Sequence, residues 1–354
     1  MAERQDKILS TTTMERGISL SKADIVENIF LCFESVNGSC KRSIFPPTIR
    51  VLLYLLLGSM SVLTVCGNLL VIIPIIHFKQ LHTPTNYLIL SLAVSDLLLG
   101  VLVMPPRMVY SVESCWYFGD LFCKIYTSTD VMLCNTSILN LCFISIDRYY
   151  AVCHPLLYRT KITVHVVLIM MLVTWTVSAV VGFCMIFLEL NIWGIEDFYY
   201  NNVACEGGCI LFQNKVSSIV ASVISFYIPG VGMLSIYLKI FLIAQRQARS
   251  IQGTTNQNSV GKSQRKATKT LAIIMGVFLS FWTPFFVINC IDPFISYSTP
   301  PVLFETLIWI GYLNSTINPM VYAFFYSWFR KAFRMIISGK IFQPDSSEIQ
   351  LFSE

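Results

Sequence analysis

The chain has 354 residues, of which 55% are hydrophobic and only 13% charged. A mean hydropathy of +0.65 leaves too few polar side chains to cover a water-exposed surface of this size, which excludes an ordinary soluble domain. The net charge of +5, without a basic stripe interleaved with aromatics, excludes a nucleic-acid partner.

Residues 1–50 are an N-terminal segment, polar over 1–44 and lacking the apolar core of a cleavable signal, so the first apolar stretch is expected to serve as its own insertion signal. Asn37-Gly38-Ser39 in this segment is a glycosylation acceptor. Seven stretches long enough to cross a bilayer follow, near 51–76, 85–107, 120–152, 163–188, 215–246, 266–291 and 302–326. Each span must satisfy its own backbone in lipid, so the fold class is an all-α, seven-helix transmembrane bundle over 51–326. No barrel-like alternation and no repeat relates the two halves. The linker 250–266, rich in Ser, Thr, Asn, Gln and Gly, reads as a disordered loop. Residues 327–338 form an amphipathic helix at the membrane surface, with Trp328, Phe329, Phe333, Ile336 and Ile337 opposite Arg330, Lys331 and Arg334. Residues 339–354 are a tail in which Ser346 and Ser347 could be phosphorylated, a plain solvated tail being the simpler reading.

Basic residues set the orientation. The loops after spans one, three and five, with the tail, carry Lys79, Arg159, Lys161, Arg246, Arg249, Lys262, Arg265, Lys266, Lys269, Arg330, Lys331 and Arg334. The opposite loops carry mainly Glu113, Asp120, Glu196, Asp197, Glu206, Asp292 and Glu305. This places the N-terminus outside and the C-terminus in the cytoplasm of a multi-pass protein. Of 12 cysteines, Cys32, Cys40, Cys115, Cys123, Cys205 and Cys209 then fall outside, an even set suited to disulfides whose pairing the spacing leaves open.

The third span carries Asp130 near its start and Asp147 and Arg148 near its end. Asp130 and Arg148 are 18 residues apart, so about five turns and about 27 Å separate two charges on one face of one rod. Ionised groups in a membrane are costly and mark function. Asp96 in span two stands with Asn68, Ser137, Asn314 and Asn318 as a carboxylate among hard oxygens, suited either to a small cation such as sodium or to a water-filled hydrogen-bond network. Pro229, Pro284 and Pro319 permit kinks in the last three spans, with Trp282 two residues before Pro284. A transporter would show half-repeats or broken spans, and an enzyme a nucleophile with a base or a metal cluster; neither pattern appears. No cofactor or metal is expected beyond the sodium alternative.

Taken in order, "GN" at 67–68, "LAVSD" at 92–96, "DRY" at 147–149, Trp175, "FWTP" at 281–284 and "NPMVY" at 318–322 resemble the rhodopsin-like (class A) G-protein-coupled receptors over roughly 50–338. "HFKQLHTPTN", "CWYFGDLFCKI", "TSTD", "FISIDRYYAVCHPLLY" and "NSTINPMVYAFFYSWF" are similar to the trace amine-associated receptors. "C-x-G-G-C" at 205–209 and the tail are similar to the subtype-one branch of that family in particular.

The resemblance implies that Asp130 binds a ligand ammonium, with Cys134, Ser222, Ser225, Trp282, Phe285, Phe286, Trp309 and Tyr312 completing the pocket. The charges agree, since a carboxylate and an alkylamine are both ionised at neutral pH. The rival role for Asp130 is structural, paired with the Tyr312 hydroxyl. Ala221 stands where catecholamine receptors can carry a hydroxyl, so simple arylethylamines such as phenethylamine or tyramine are expected over catechols. A serotonin- or dopamine-type receptor is the alternative within the class.

Asp147, Arg148, Tyr149, Trp282, Pro284, Asn318, Pro319 and Tyr322 are implied in activation and coupling to a heterotrimeric G protein of the stimulatory type, raising cyclic AMP. Arrestin, a receptor kinase and membrane lipid are further implied partners. Gln264 replaces the acid that restrains Arg148 in many relatives, so some ligand-free signalling is expected. The implied disulfides are Cys123–Cys209, Cys32–Cys205 and Cys40–Cys115, and no tail cysteine offers a palmitoyl anchor.

Overall fold

The computed structural model describes residues 30–43, 45–251, 258–325, 327–343 and 346–351. Seven long helices form one bundle: Pro47–His77, Pro84–Glu113, Asp120–Cys153, Val164–Phe187, 215–251, Asn258–Ile291 and Pro301–Phe325. Their starts follow local chemistry. Proline opens the first two, where a missing N–H costs nothing. Thr83, Thr163 and Asn214 accept hydrogen bonds from the free N–H groups of Asn86, Val166 and Ser217.

Six of these helices are long and apolar enough to cross a membrane. The seventh is more polar because Asn314, Ser315, Thr316 and Asn318 on it are buried in the bundle instead of meeting lipid. Leu52, Leu55, Leu56, Leu168, Leu172, Leu234 and Leu238 point outward, as a lipid-facing surface requires. The core is continuous, from Ile75 and Phe78 through Leu88, Leu92 and Ile138 to Phe278 and Tyr312.

Two turns are widened to π geometry, Leu99–Val103 in span two and Val223–Tyr227 in span five. Each lies just before proline, at Pro105-Pro106 and at Pro229. The ring crowds the carbonyl four residues back and offers no N–H, so the helix takes up an extra residue there. The sixth and seventh helices run on through Pro284 and Pro319. The linker read as disordered over 250–266 is corrected: helix continues to Ile251 and resumes at Asn258, because Lys, Arg, Gln and Ala between 262 and 269 favour helix. Residues 252–257 lie outside the described residues.

All six cysteines assigned to one side are paired, and Cys66, Cys134, Cys142, Cys153, Cys184 and Cys290 are free. Cys123–Cys209 pair as implied, tying span three to the loop before span five. The other two pairings are corrected to Cys32–Cys115 and Cys40–Cys205. Backbone pairing decides the exchange. Cys40 N–H donates to the Glu206 carbonyl and Glu206 N–H to that of Gly38, which sets Cys40 beside Cys205. Trp116 N–H donates to the Gly207 carbonyl, bringing Cys115 under Cys32. Gly207, at φ +90°, is packed against Cys32 and leaves no room for a Cβ. Non-reducing digestion with mass spectrometry should recover Cys32–Cys115 and Cys40–Cys205 peptides; the exchanged pair of linkages would refute this arrangement.

Asn37 is exposed beside this strap, whereas Asn135 and Asn314, which share the acceptor pattern, are buried. Glu113, counted in sequence with the loop acids, ends the second helix, where it binds Arg42 and Arg50 and accepts from the Tyr54 hydroxyl at 3.0 Å. Lys124 bonds Glu189 at 2.9 Å and thereby holds that carboxyl below its usual range.

At the opposite end Ser327–Ile337 forms the amphipathic helix. Its apolar side divides: Trp328, Phe329, Ala332 and Met335 are buried, while Phe333 and Ile337 are exposed where a bilayer would cover them. The tail is not solvated throughout. Ile341, Ser346 and Leu351 are buried; Ser346 Oγ donates to the Ile341 carbonyl at 2.7 Å and lies 2.9 Å from His77 Nε2. Leu351 N–H donates to Gln80 Oε1, and Lys79 pairs with Glu348, fastening the tail to the turn after span one.

Candidate ligand-binding site

Asp130 and Arg148 lie on the single helix Asp120–Cys153, so one uninterrupted rod joins the disulfide-strapped end to the opposite end. Asp130 is half-buried. Its Oδ2 accepts from the Tyr312 hydroxyl at 2.8 Å, and its Oδ1 from the Cys134 thiol at 3.4 Å. Tyr312, named from sequence as the partner of Asp130 in its structural role, is in place, and Cys134, named there as a pocket residue, bonds the same carboxylate. No Lys, Arg or His among the described residues pairs with Asp130.

The ring of Trp309 stands edge-on to Tyr312 at 5.6 Å, and its Nε1–H donates to Ser111 Oγ at 3.0 Å. Trp282, Phe285 and Phe286 form one aromatic group, with ring centroids 5.3–5.9 Å apart. Sequence reading missed two members, Phe226, stacked on Phe286 at 4.5 Å, and Phe304, edge-on to Phe285. The π turn in span five presents Phe226, and a regular helical register would not have predicted it.

Gly311 links the aromatic group to the Asp130 group. A Cβ there would lie 2.7 Å from Trp282 Cζ3, so the indole fits only against bare backbone. Gly311→Ala should lower the melting midpoint of the purified receptor by a few degrees, and Trp282→Phe in the same chain should recover part of the loss. Equal stability of Gly311→Ala and the parent would refute that packing.

Ser222 is fully buried and accepts from Asn289 Nδ2 at 3.1 Å; Ser225 is half-buried within the π turn. Neither hydroxyl bonds the Asp130 group.

Midway along the bundle Asp96 accepts from Ser137 (3.2 Å), Ser315 (2.8 Å) and Asn318 (2.8 Å). Ser315 was not singled out from sequence, although it sits within "NSTINP". Asn68 joins through the Ser315 carbonyl at 3.1 Å. The Asn314 and Asn68 Oδ1 atoms are buried without a hydrogen-bond partner.

At the far end Asp147 is fully buried and accepts from Arg148 Nε at 2.7 Å, the Thr85 hydroxyl at 2.9 Å and the Tyr158 hydroxyl at 2.9 Å. Arg148 also bonds Thr85, and Tyr149 packs on His154. Arg148 is thus held by its own neighbour and by the helix starting at Pro84. The Gln264 side chain lies outside the described residues. Tyr322 is buried and lines, with Ile89, Leu141, Ile144, Ile274 and Met275, an apolar cavity away from Asp130.

A second charged group at the Asp130 end was not singled out from sequence. Arg107 and Glu305 pair at 2.7 and 3.0 Å, and Ser111 Oγ lies 2.8 Å from Glu305 Oε2. The rule that singled out Asp130, charge within an apolar span, applied to Arg107 as well.

A seven-helix bundle with a carboxylate near one end and a restrained arginine at the other has the build of a membrane receptor. The family described as 7 transmembrane receptor (rhodopsin family) matches residues 67–322. Trace amine-associated receptor 1 of Macaca mulatta is 56% identical over 91% of this chain and 98% of its own length, and that of Homo sapiens 54% over the same shares. Trace amine-associated receptor 4 of Mus musculus is 49% identical over 90% of this chain and 94% of its own length. The chain belongs to the rhodopsin family of seven-transmembrane receptors and, within it, to the trace amine-associated receptors. It is therefore a multi-pass plasma-membrane receptor for a small molecule with a G protein as partner, and not an enzyme.

Proposed function

We propose that the receptor responds to trace amines of the arylethylamine type through Asp130. The observation that carries this is a half-buried carboxylate held by Tyr312 and Cys134 but paired with no protein cation. A half-buried carboxylate with no ion-pair partner is costly, and a ligand ammonium removes that cost while the aromatic side chains take its ring. The names of the relatives support the same ligand class. The disulfide-strapped end faces outside and the Arg148 end faces the cytoplasm, in accord with oxidised cysteines on one side and the basic loops on the other.

Binding at Asp130 releases Arg148 from Asp147 and Thr85 to meet a stimulatory G protein, and cyclic AMP rises. The exposed amphipathic helix surface meets lipid, and the inner face serves arrestin and receptor kinases after activation. Asp96 fits a small hard cation such as sodium, because its carboxylate lies among the Ser137 and Ser315 hydroxyls and two buried amide oxygens have no hydrogen-bond partner: Asn314 Oδ1, next to Ser315 in the chain, and Asn68 Oδ1, on the side chain that bonds the Ser315 carbonyl. Asp96, Ser137, Ser315 and Asn314 would hold it, and its charge would offset that of the carboxylate.

Cyclic AMP in cells displaying the chain tests the reading. Phenethylamine or tyramine should act at lower concentration than dopamine or serotonin. A dopamine or serotonin preference would favour the biogenic-amine alternative instead. Against a strong demand for catechols stands the closed Ser222–Asn289 hydrogen bond.

A further inference from the structure

We infer that Arg107 and Glu305 position Asp130 for the amine through a relay of five side-chain contacts, although neither residue touches the ammonium. The inference rests on the amine reading of Asp130 and names residues which that reading leaves out.

The relay is continuous. Arg107 donates from Nε and Nη2 to both oxygens of Glu305, at 3.0 and 2.7 Å. This is a two-pronged pair between the second and seventh helices. The Arg107 side chain is 9% exposed and that of Glu305 23%, so the pair is largely withdrawn from water and is unlike a surface bridge. Ser111, one turn on from Arg107, has its Oγ 2.8 Å from Glu305 Oε2 and 2.8 Å from the Arg107 carbonyl. Its single proton goes to one of these acceptors, and the carboxylate is the stronger. The same oxygen accepts from Trp309 Nε1–H at 3.0 Å, which fixes the indole. The indole edge then confines Tyr312, whose hydroxyl holds Asp130 Oδ2 at 2.8 Å.

Each link has one alternative that breaks the next. Without Arg107, Glu305 is a poorly solvated anion that turns toward water, and Ser111 gives its proton to the Arg107 carbonyl. The hydroxyl still accepts from Trp309 but is no longer held from above. Trp309 and Tyr312 gain freedom, and the Asp130 carboxylate loses the orientation that an incoming ammonium needs. Arg107 also lies over the Tyr110 ring, with 5.6 Å between guanidinium carbon and ring centroid, which keeps the guanidinium in place.

The test measures half-maximal phenethylamine concentration for cyclic AMP, at matched surface level, in Arg107→Glu, Glu305→Arg, the double exchange, Ser111→Ala and Ser111→Thr. Each charge reversal and Ser111→Ala should raise that concentration at least about fivefold, while the double exchange and Ser111→Thr should stay within about threefold of the parent. Ser111→Ala is the deciding variant. A pair that only clamps two helices predicts lost surface display on charge reversal and an unchanged phenethylamine response in Ser111→Ala, and that result overturns the relay. A parent receptor silent to phenethylamine and to every other amine overturns the amine reading and the relay together. A responsive parent with an unchanged Ser111→Ala variant overturns the relay alone.

Discussion

Asp130→Asn should abolish the amine response while leaving the receptor at the cell surface. Asparagine keeps the shape and still accepts from the Tyr312 hydroxyl that donates to Asp130 Oδ2 at 2.8 Å. What it removes is the negative charge alone. Losing one member of a buried ion pair costs about 3–5 kcal/mol, so the half-maximal phenethylamine concentration should rise at least about 100-fold. Asp130→Ala should be as inactive and less stable, because it also strands the Tyr312 hydroxyl in the core, where Tyr312 is 1% exposed. Asp130→Glu retains the charge and should respond, more weakly than the parent because the longer side chain shifts the carboxylate. Cyclic AMP and surface staining on the same cells decide the matter. An Asn variant with the parent's sensitivity would assign Asp130 the purely structural role.

Gly182→Ala should be among the most damaging single-methyl changes in the protein. Gly182, on the fourth helix, lies against the third at the level of Ser128 and Met132. An added Cβ would sit 2.6 Å from the Ser128 carbonyl oxygen and 3.0 Å from the Met132 nitrogen. Both are backbone atoms of the helix that carries Asp130, so no side chain can turn aside and the helices must separate. Small residues at such crossings let membrane helices approach, and overpacking of this kind costs about 1–3 kcal/mol. Gly182→Ala should lower the melting midpoint of detergent-purified receptor by several degrees and reduce surface display; Gly182→Val should prevent display. A Gly182→Ala protein that melts with the parent would show that the third and fourth helices are not in backbone contact.

Much of this was legible without coordinates because lipid imposes simple rules. Seven apolar stretches become seven helices, since a lipid-exposed backbone has no other way to satisfy its hydrogen bonds. Asp96, Asp130, Asp147 and Arg148 announced themselves as charges where charge is expensive. The Asp130–Tyr312 contact was anticipated only as the rival, structural role of Asp130 within the family resemblance, and the hydrogen bond between them is present. The same rules also identified the six disulfide cysteines as a set.

Contacts between segments distant in the chain were decided by tertiary structure. Cys32 and Cys40 could each reach either partner until the backbone pairing of Cys40 with Glu206 chose for them. Glu305 was counted with the loop acids although it falls inside the span read at 302–326, and only helix packing showed that it meets Arg107. Ser315, Phe226 and Gly311 gained their roles from what packs against them: a carboxylate, a stacked phenylalanine and an indole. Sequence alone therefore determined the membrane, the helices and the chemical groups, because each follows from the cost of transferring a single residue or segment out of water. Which groups meet depends on helix packing, widened turns and cross-links, and these are settled only when all seven helices compete for the same interior.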